Sequence, residues 1–451
     1  MDAVENISKS IVKTEYNDIP AELVKVAKRG ITDTVGTLIA GSNAPGCDIL
    51  LGQIKEWGGK EESTILVHGG KVPSYNAGLV NSAMARALDY DDVVDGRGLH
   101  VDASLVPTAF AVAEQCGEAT GKEFLAALVI GMDVLLRITC SARLRGWDAS
   151  EVCGVFATTA VAGKLHRLNE KQLTNALGIA LNQASGTMQS NIDGALTVRL
   201  NQGLASRNGI FSAVLAKRGF TGVKNVLQGL FGYYSLFSHD KCDAEVLTGH
   251  LGEKFRGTEI VIKPYPSCRA THSVTDAALS IVRKHQFKPG DVEEITASVP
   301  DGVGILVGRK FEARDTPQVD AQFSAQYTIA NALVRQKVLL DHFTEKFIRD
   351  PEVLRIANKV KLVVKREFTG EYVEVTVKLK DGNKHTESVK FPKGSIQNPM
   401  TDEEQMEKFW DCVRYGRTSL PENNLKNFVD IIDRLEKVDN ASVMSELLRQ
   451  V

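Results

Sequence analysis

Apolar residues recur at helical spacing through most of the first 260 positions. Leu23, Val24, Ala27, Ile31 and Val35 follow Pro20, which suits a first turn, and the pattern stops at Gly41. A second helix is expected from about 73 to 92, ending in Asp89-Tyr90-Asp91-Asp92, and a third from about 103 to 118 with Val106, Phe110 and Ala113 on one face. The stretch from about 122 to 143 is apolar almost all round, which predicts a buried central helix. From about 197 to 218, Leu200, Leu204, Phe211 and Leu215 fall on one stripe, and Gly203, Ala205 and Gly209 allow neighbours to approach.

The pattern changes after Lys263-Pro264-Tyr265-Pro266. Val292–Val299 reads as a strand, and Val373, Val375, Val377 and Leu379 alternate strictly toward one side. Asp381-Gly382 predicts a turn into a strand from His385 to Phe391, and Lys361–Lys365 adds another. Helices at about 270–285 and 320–337 are expected to back this sheet. Thr401 with Glu404 predicts a capping box that restarts helix, and the last stretch is expected to return to the first domain.

A chain of 451 residues has room for two or three domains, or one large domain and a smaller one. Hydrophobic residues at 43% and charged residues at 24% are ordinary for a globular protein, and a net charge of −2 points to neither nucleic acid nor membrane as a partner. Attraction for an anionic substrate must therefore be local. No apolar run is read as approaching the roughly 20 residues of a membrane span. Met1-Asp2-Ala3-Val4-Glu5 carries acidic rather than basic residues, so a cytoplasmic protein is expected. Seven scattered cysteines with no C-x-x-C pair predict reduced thiols rather than disulfides or zinc.

Several familiar motifs fail. Gly41-Ser42-Asn43-Ala44-Pro45-Gly46 has P-loop spacing, but Cys47-Asp48 stands where Lys-Ser/Thr is needed. Gly96-Arg97-Gly98 lacks the third glycine of a dinucleotide fingerprint, because Val101 takes its place. Asp91-Asp92-Val93-Val94-Asp95 does fit D-D-x-x-D, the magnesium-diphosphate pattern of isoprenoid synthases. No second acidic motif of that kind accompanies it, and the later sheet does not belong in such a fold.

The remaining candidates are single residues with ordinary readings of their own. His100 could be a surface or capping histidine, Lys263 a solvated lysine, Arg199 a paired arginine and Tyr327 a core tyrosine. Arg269 and His272 lie at the start of a helix, where anions are favoured.

Their order along the chain resembles the MmgE/PrpD family. The matching stretches are Asp33-Thr34-Val35-Gly36; Asp89 to Asp92 with His100 and Val106-Pro107; Ala176 to Ala180 with Gln183 to Gly186; Arg199-Leu200 through Gly222; Lys263 to His272; and Phe323 to Tyr327. The resemblance implies a mainly α protein with an α+β lid. A large all-helical domain (1–264 and 399–451) would carry a smaller α+β domain (265–398) inserted between its parts. It also implies a homodimer without metal or other cofactor, with the active site in the cleft between domains.

Carried over by position, His100, Tyr327, Asp89 and Lys263 match family active-site positions. Arg199, Arg269, His272, Asp148 and Cys268 are candidates for binding substrate. Four residues depart from the decarboxylase-like pattern: Asp148 and Asn201 stand for histidines, Arg199 for a lysine, and Cys268 for a histidine, though dehydratase-like relatives also tend to have Cys there. The expected chemistry is proton removal next to a carboxylate. Arg199 and Lys263 would clamp the carboxylate, His100 would act as base or acid, Tyr327 would serve the opposite face and Asp89 would orient a neighbour. The first expectation is a lyase acting on a substituted di- or tricarboxylate, by dehydration before decarboxylation. The alternative is an epimerase of an iminodicarboxylate.

Overall fold

The computed structural model describes residues 2–450. At its centre, Thr120 and Glu123 cap each other reciprocally and start the helix Gly121–Ser141. This helix corrects the sequence expectation about span length. It has 21 residues with mean hydropathy 1.9, enough to cross a membrane by length and composition, yet 94% of that window is buried inside the fold. Asp133 and Arg137, one turn apart, pair at 2.7 Å and so can be buried in it.

Against it pack Ala21–Gly41, Asp102–Cys116 and Gly154–Leu165, and on these in turn pack Ser74–Arg86 and Thr197–Lys217. The last of these faces the other way from the sequence expectation. Its buried side consists of small residues, among them Ala205, Ser206, Gly209, Ala213 and Ala216. Leu200, Leu204 and Leu215 are half-buried, and Phe211 is exposed against Tyr75. Close approach decides this: a Cβ at Gly203 would sit 2.6 Å from the Leu79 carbonyl. The helix expected to run to 92 stops at Arg86, and Asp89 turns with φ +50, so the acidic cluster lies on a loop.

The second half builds a four-stranded sheet in the order Val360–Val364, Val292–Val299, Val373–Leu379, Lys384–Val389. The first pair is parallel and the others antiparallel. Val373–Leu379 buries every second residue, as its alternation requires. His272–His285 backs the sheet, and the helix expected over 320–337 is broken into Pro317–Gln322 and Ala325–Arg335, the second capped by Ser324. Two separate apolar cores result. The larger holds the early helices together with Phe409, Leu425, Phe428, Ile432 and Leu448 from the end of the chain. The smaller gathers Val274, Ile295, Val375, Tyr327 and Phe343.

Candidate active site

A cleft of about 730 Å³ opens between the two cores. One wall carries Arg86, Asp89, His100 and Asp148, with the exposed Arg97 and Arg143 at its rim. The facing wall carries Cys268, Arg269, Val303, Leu306, Phe323 and Glu371.

The first wall is organised around the loop after Ser74–Arg86. Arg86 Nη1 donates to Asp89 Oδ1 at 2.5 Å and to Asp91 Oδ1 at 3.4 Å. Lys263 Nζ reaches the same Asp89 oxygen at 3.0 Å, the Asp89 carbonyl, and the Ser267 carbonyl at 3.3 Å. Burial would push the Asp89 carboxyl up, but Arg86, Lys263 and His100 outweigh it and hold the carboxyl far below the usual range. Asp91 is lowered in the same way, against burial, by His100 and Arg86. Arg86 is also held firmly charged: burial opposes its charge, and Asp89, Asp91 and Asp148 more than compensate.

His100 opens the segment leading into Asp102–Cys116. Its amide donates to Ser150 Oγ at 3.0 Å, and its Nδ1 lies 2.9 Å from the Asp92 carbonyl. A carbonyl only accepts, so Nδ1 carries the proton, and Asp91 Oδ2 at 3.0 Å adds its charge beside it. Nε2 makes no hydrogen bond among the described residues and lies 3.7 Å from Asp89 Oδ1. Whenever the ring is neutral, Nε2 is its unprotonated nitrogen, and it lines the same cleft as the Arg86 guanidinium.

Asp148 caps the short helix Ala149–Val152 and accepts from Asn201 Nδ2 at 2.7 Å. Two of the positions that depart from the decarboxylase-like pattern thus touch each other at the cleft. Arg269 staples the far wall: it forks onto Glu371 at 2.9 and 3.0 Å and reaches Asp95 Oδ1 at 2.9 Å. Burial, with Asp89 nearby, pushes the Cys268 thiol up to about 12, so it remains a neutral group at the wall.

Three candidates are not brought to the cleft. Arg199 is buried, donating to the Pro45 carbonyl at 2.5 Å and to Gln318 Oε1 at 2.8 Å. Tyr327 is fully buried in the smaller core between Phe311 and Phe343, and its hydroxyl donates to the His342 carbonyl. His272 donates from Nε2 to the Ser267 carbonyl at 3.1 Å, and burial with Arg269 and Lys263 nearby keeps it neutral. Lys263 belongs to the site from behind, because it is fully buried and its three donors are spent. Arg86 was not anticipated. The signal was present as an arginine three residues before Asp89, on a helix otherwise composed of small and apolar residues.

The D-D-x-x-D carboxylates do not converge on a common point. Asp91 faces His100 and Arg86, Asp92 accepts the Val101 and Asp102 amides, and Asp95 pairs with Arg269. Asp89, Asp91 and His100 do bring ligand atoms within 4.8 Å of one another. Two fixed cations already share Asp89, so a divalent ion would have to displace them from its carboxylate, and the donor set does not fit a metal.

A cleft between a helical core and an α+β core, floored by one imidazole, one guanidinium and buried carboxylates, brings together groups of the kind acid–base chemistry uses. The chain belongs to the MmgE/PrpD family: the family's N-terminal domain matches residues 5–245 and its C-terminal domain residues 265–435. It is similar to the cis-aconitate decarboxylase-like protein oryM of Aspergillus oryzae, 27% identical over 96% of this chain and 92% of that protein. It is also similar to the cis-aconitate decarboxylases of Aspergillus terreus (26% identical; 96% and 93% covered) and Mus musculus (24%; 99% and 93%).

Proposed function

We propose that this chain is a lyase acting on a substituted di- or tricarboxylate through a carbanion next to a carboxylate. The observation that carries the reading is the shared face of His100 Nε2 and Arg86 above Asp89. Arg97 and Arg143 draw the anion in, and Arg86 grips the carboxylate into which the developing charge spreads. His100 Nε2 removes the α-proton. The electron pair forms a C=C bond, the C–O bond breaks, and the hydroxyl leaves as water with the proton that His100 has taken up. Dehydration is placed first because Cys268 and the Asp148–Asn201 pair stand where decarboxylase-like relatives have imidazoles. In decarboxylation, which the curated relatives support, CO2 would leave, the C–C pair would stay on carbon, and His100 would start protonated and donate its proton to that carbon. An epimerase is the second reading, supported by Asp148 in the cleft, whose carboxylate suits a substrate amine.

In this reading residues 265–398 act as the lid, and the protein works in the cytoplasm as a homodimer. The half-exposed Leu200, Leu204, Phe211 and Leu215 supply an apolar face for the dimer. Phe211→Asp is expected to give monomers in light scattering, and an unchanged mass removes that face from the interface. The reaction is tested by proton NMR in D2O with EDTA and a panel of hydroxy-, unsaturated and imino-carboxylates. Loss of water or CO2 from one compound supports the lyase. Deuterium uptake without loss supports the epimerase, and no change with any compound refutes both.

A further inference from the structure

Consecutive carbonyls of the acidic loop are held by two buried lysines from opposite ends of the chain's excursion into the smaller core. Lys263, where the chain crosses over, takes the Asp89 carbonyl. Lys408, in the helix Asp402–Gly416 on the return, takes the Tyr90 carbonyl at 2.7 Å. Lys408 is 3% exposed, lies 4.0 Å above the Tyr90 ring, and pairs with Asp33 Oδ1 at 2.7 Å. The loop between these grips turns sharply at Asp89, whose left-handed backbone (φ +50) aspartate tolerates better than most residues but not without cost.

We propose that Lys408 is a positioning residue, forming with Lys263 a two-lysine clamp that keeps the loop in the one shape where Asp89, Asp91 and His100 meet. The inference rests on the lyase reading for its role in turnover. The Tyr90 carbonyl lies two residues before the Asp92 carbonyl that accepts His100 Nδ1–H. Releasing it lets the following carbonyl and the Asp91 carboxylate drift, and with them the ring whose tautomer they set. A buried lysine–aspartate pair is a poor source of stability compared with an apolar filling, so its worth lies in what it orients.

The test compares Lys408→Met with the charge-balanced pair Lys408→Met/Asp33→Asn, which leaves no unpaired buried carboxylate. The double variant is expected to melt near the wild type. Its kcat should fall about 100-fold, the scale of a small misplacement in a site, with KM nearly unchanged. The 15N signals of the His100 ring, assigned by their loss in His100→Asn, should move in both variants. Wild-type kcat in the double variant, or unmoved ring signals, overturns the clamp. Should the wild type turn over no compound, the lyase reading fails, and the ring signals alone still decide the clamp.

Discussion

The two walls of the cleft differ in kind. The wall from the helical core is charged: Arg86, Asp89, Asp91 and His100 touch one another, and each is fixed by backbone groups or a second partner. The wall from the smaller core is neutral in effect. Arg269 is consumed by Glu371 and Asp95, Cys268 stays protonated, and Val303, Leu306 and Phe323 are apolar. Chemistry on one side and enclosure on the other is the division this teaches. A wall whose charges are paired and whose remaining surface is apolar lowers the local dielectric and strengthens the electrostatic contacts that the charged wall makes.

The largest effect should follow from breaking the charged wall. His100→Ala removes the ring nitrogen left free beside Asp89 and should lower kcat about 1000-fold, within the range for a lost acid–base group. Steady-state rates on the substrate found by NMR check this, and full activity would take His100 out of the mechanism.

How much of this division could be read from the chain depends on the kind of signal. The strand Val373–Leu379 was legible because alternation is local, and the cap at Thr401 because its two residues are three apart. Asp89, His100 and Lys263 were matched by position to the family, and the fold brings all three together. Arg199 and Tyr327 were matched in the same way but point into protein, because tertiary packing sets where a side chain points. Periodicity misread Thr197–Lys217 for a related reason. Small residues bury a helix face by close approach, which a count of large apolar residues cannot see. Arg86 left a trace in its spacing from Asp89, but its partners, like the Tyr90 carbonyl that Lys408 meets, lie on a loop whose shape the sequence pattern does not give.

Breaking the neutral wall should cost stability before chemistry. Arg269→Met leaves Glu371 and Asp95 facing each other without their cation, at about 3 kcal/mol. Denaturant unfolding measures it. An unchanged midpoint would mean the fork does not hold the walls together.

Behind the charged wall lies a second layer of carboxyls with the opposite shift. Burial, then Asp91 nearby, pushes Asp92 up to about 8, and burial with Asp92 and Asp33 nearby raises Asp102 well above the usual carboxylate range. Both folded values exceed the unfolded value near about 4, so the folded protein keeps protons that the unfolded chain releases. Stability from this layer is therefore present at low pH and is lost as pH rises from about 4 toward about 8. Asp102→Asn removes one of these protons, and its melting temperature should fall less steeply between about pH 5 and about pH 8. An identical slope in the two proteins would show that Asp102 is ionised when folded.

The smallest expected effect is the sharpest check on the contrast between walls. Tyr327→Phe keeps the ring between Phe311 and Phe343 and deletes only the hydroxyl that serves the His342 carbonyl. Losing that buried hydrogen bond should cost about 1 kcal/mol of stability. Since burial holds the phenol well above its ordinary pKa and no part of it lines the cleft, kcat should stay close to wild type. A fall of about 100-fold or more, the size of a lost proton donor, would require the hydroxyl to reach substrate when the cleft closes. The smaller core would then carry chemistry of its own, and the division of labour between the walls would belong to the open form alone.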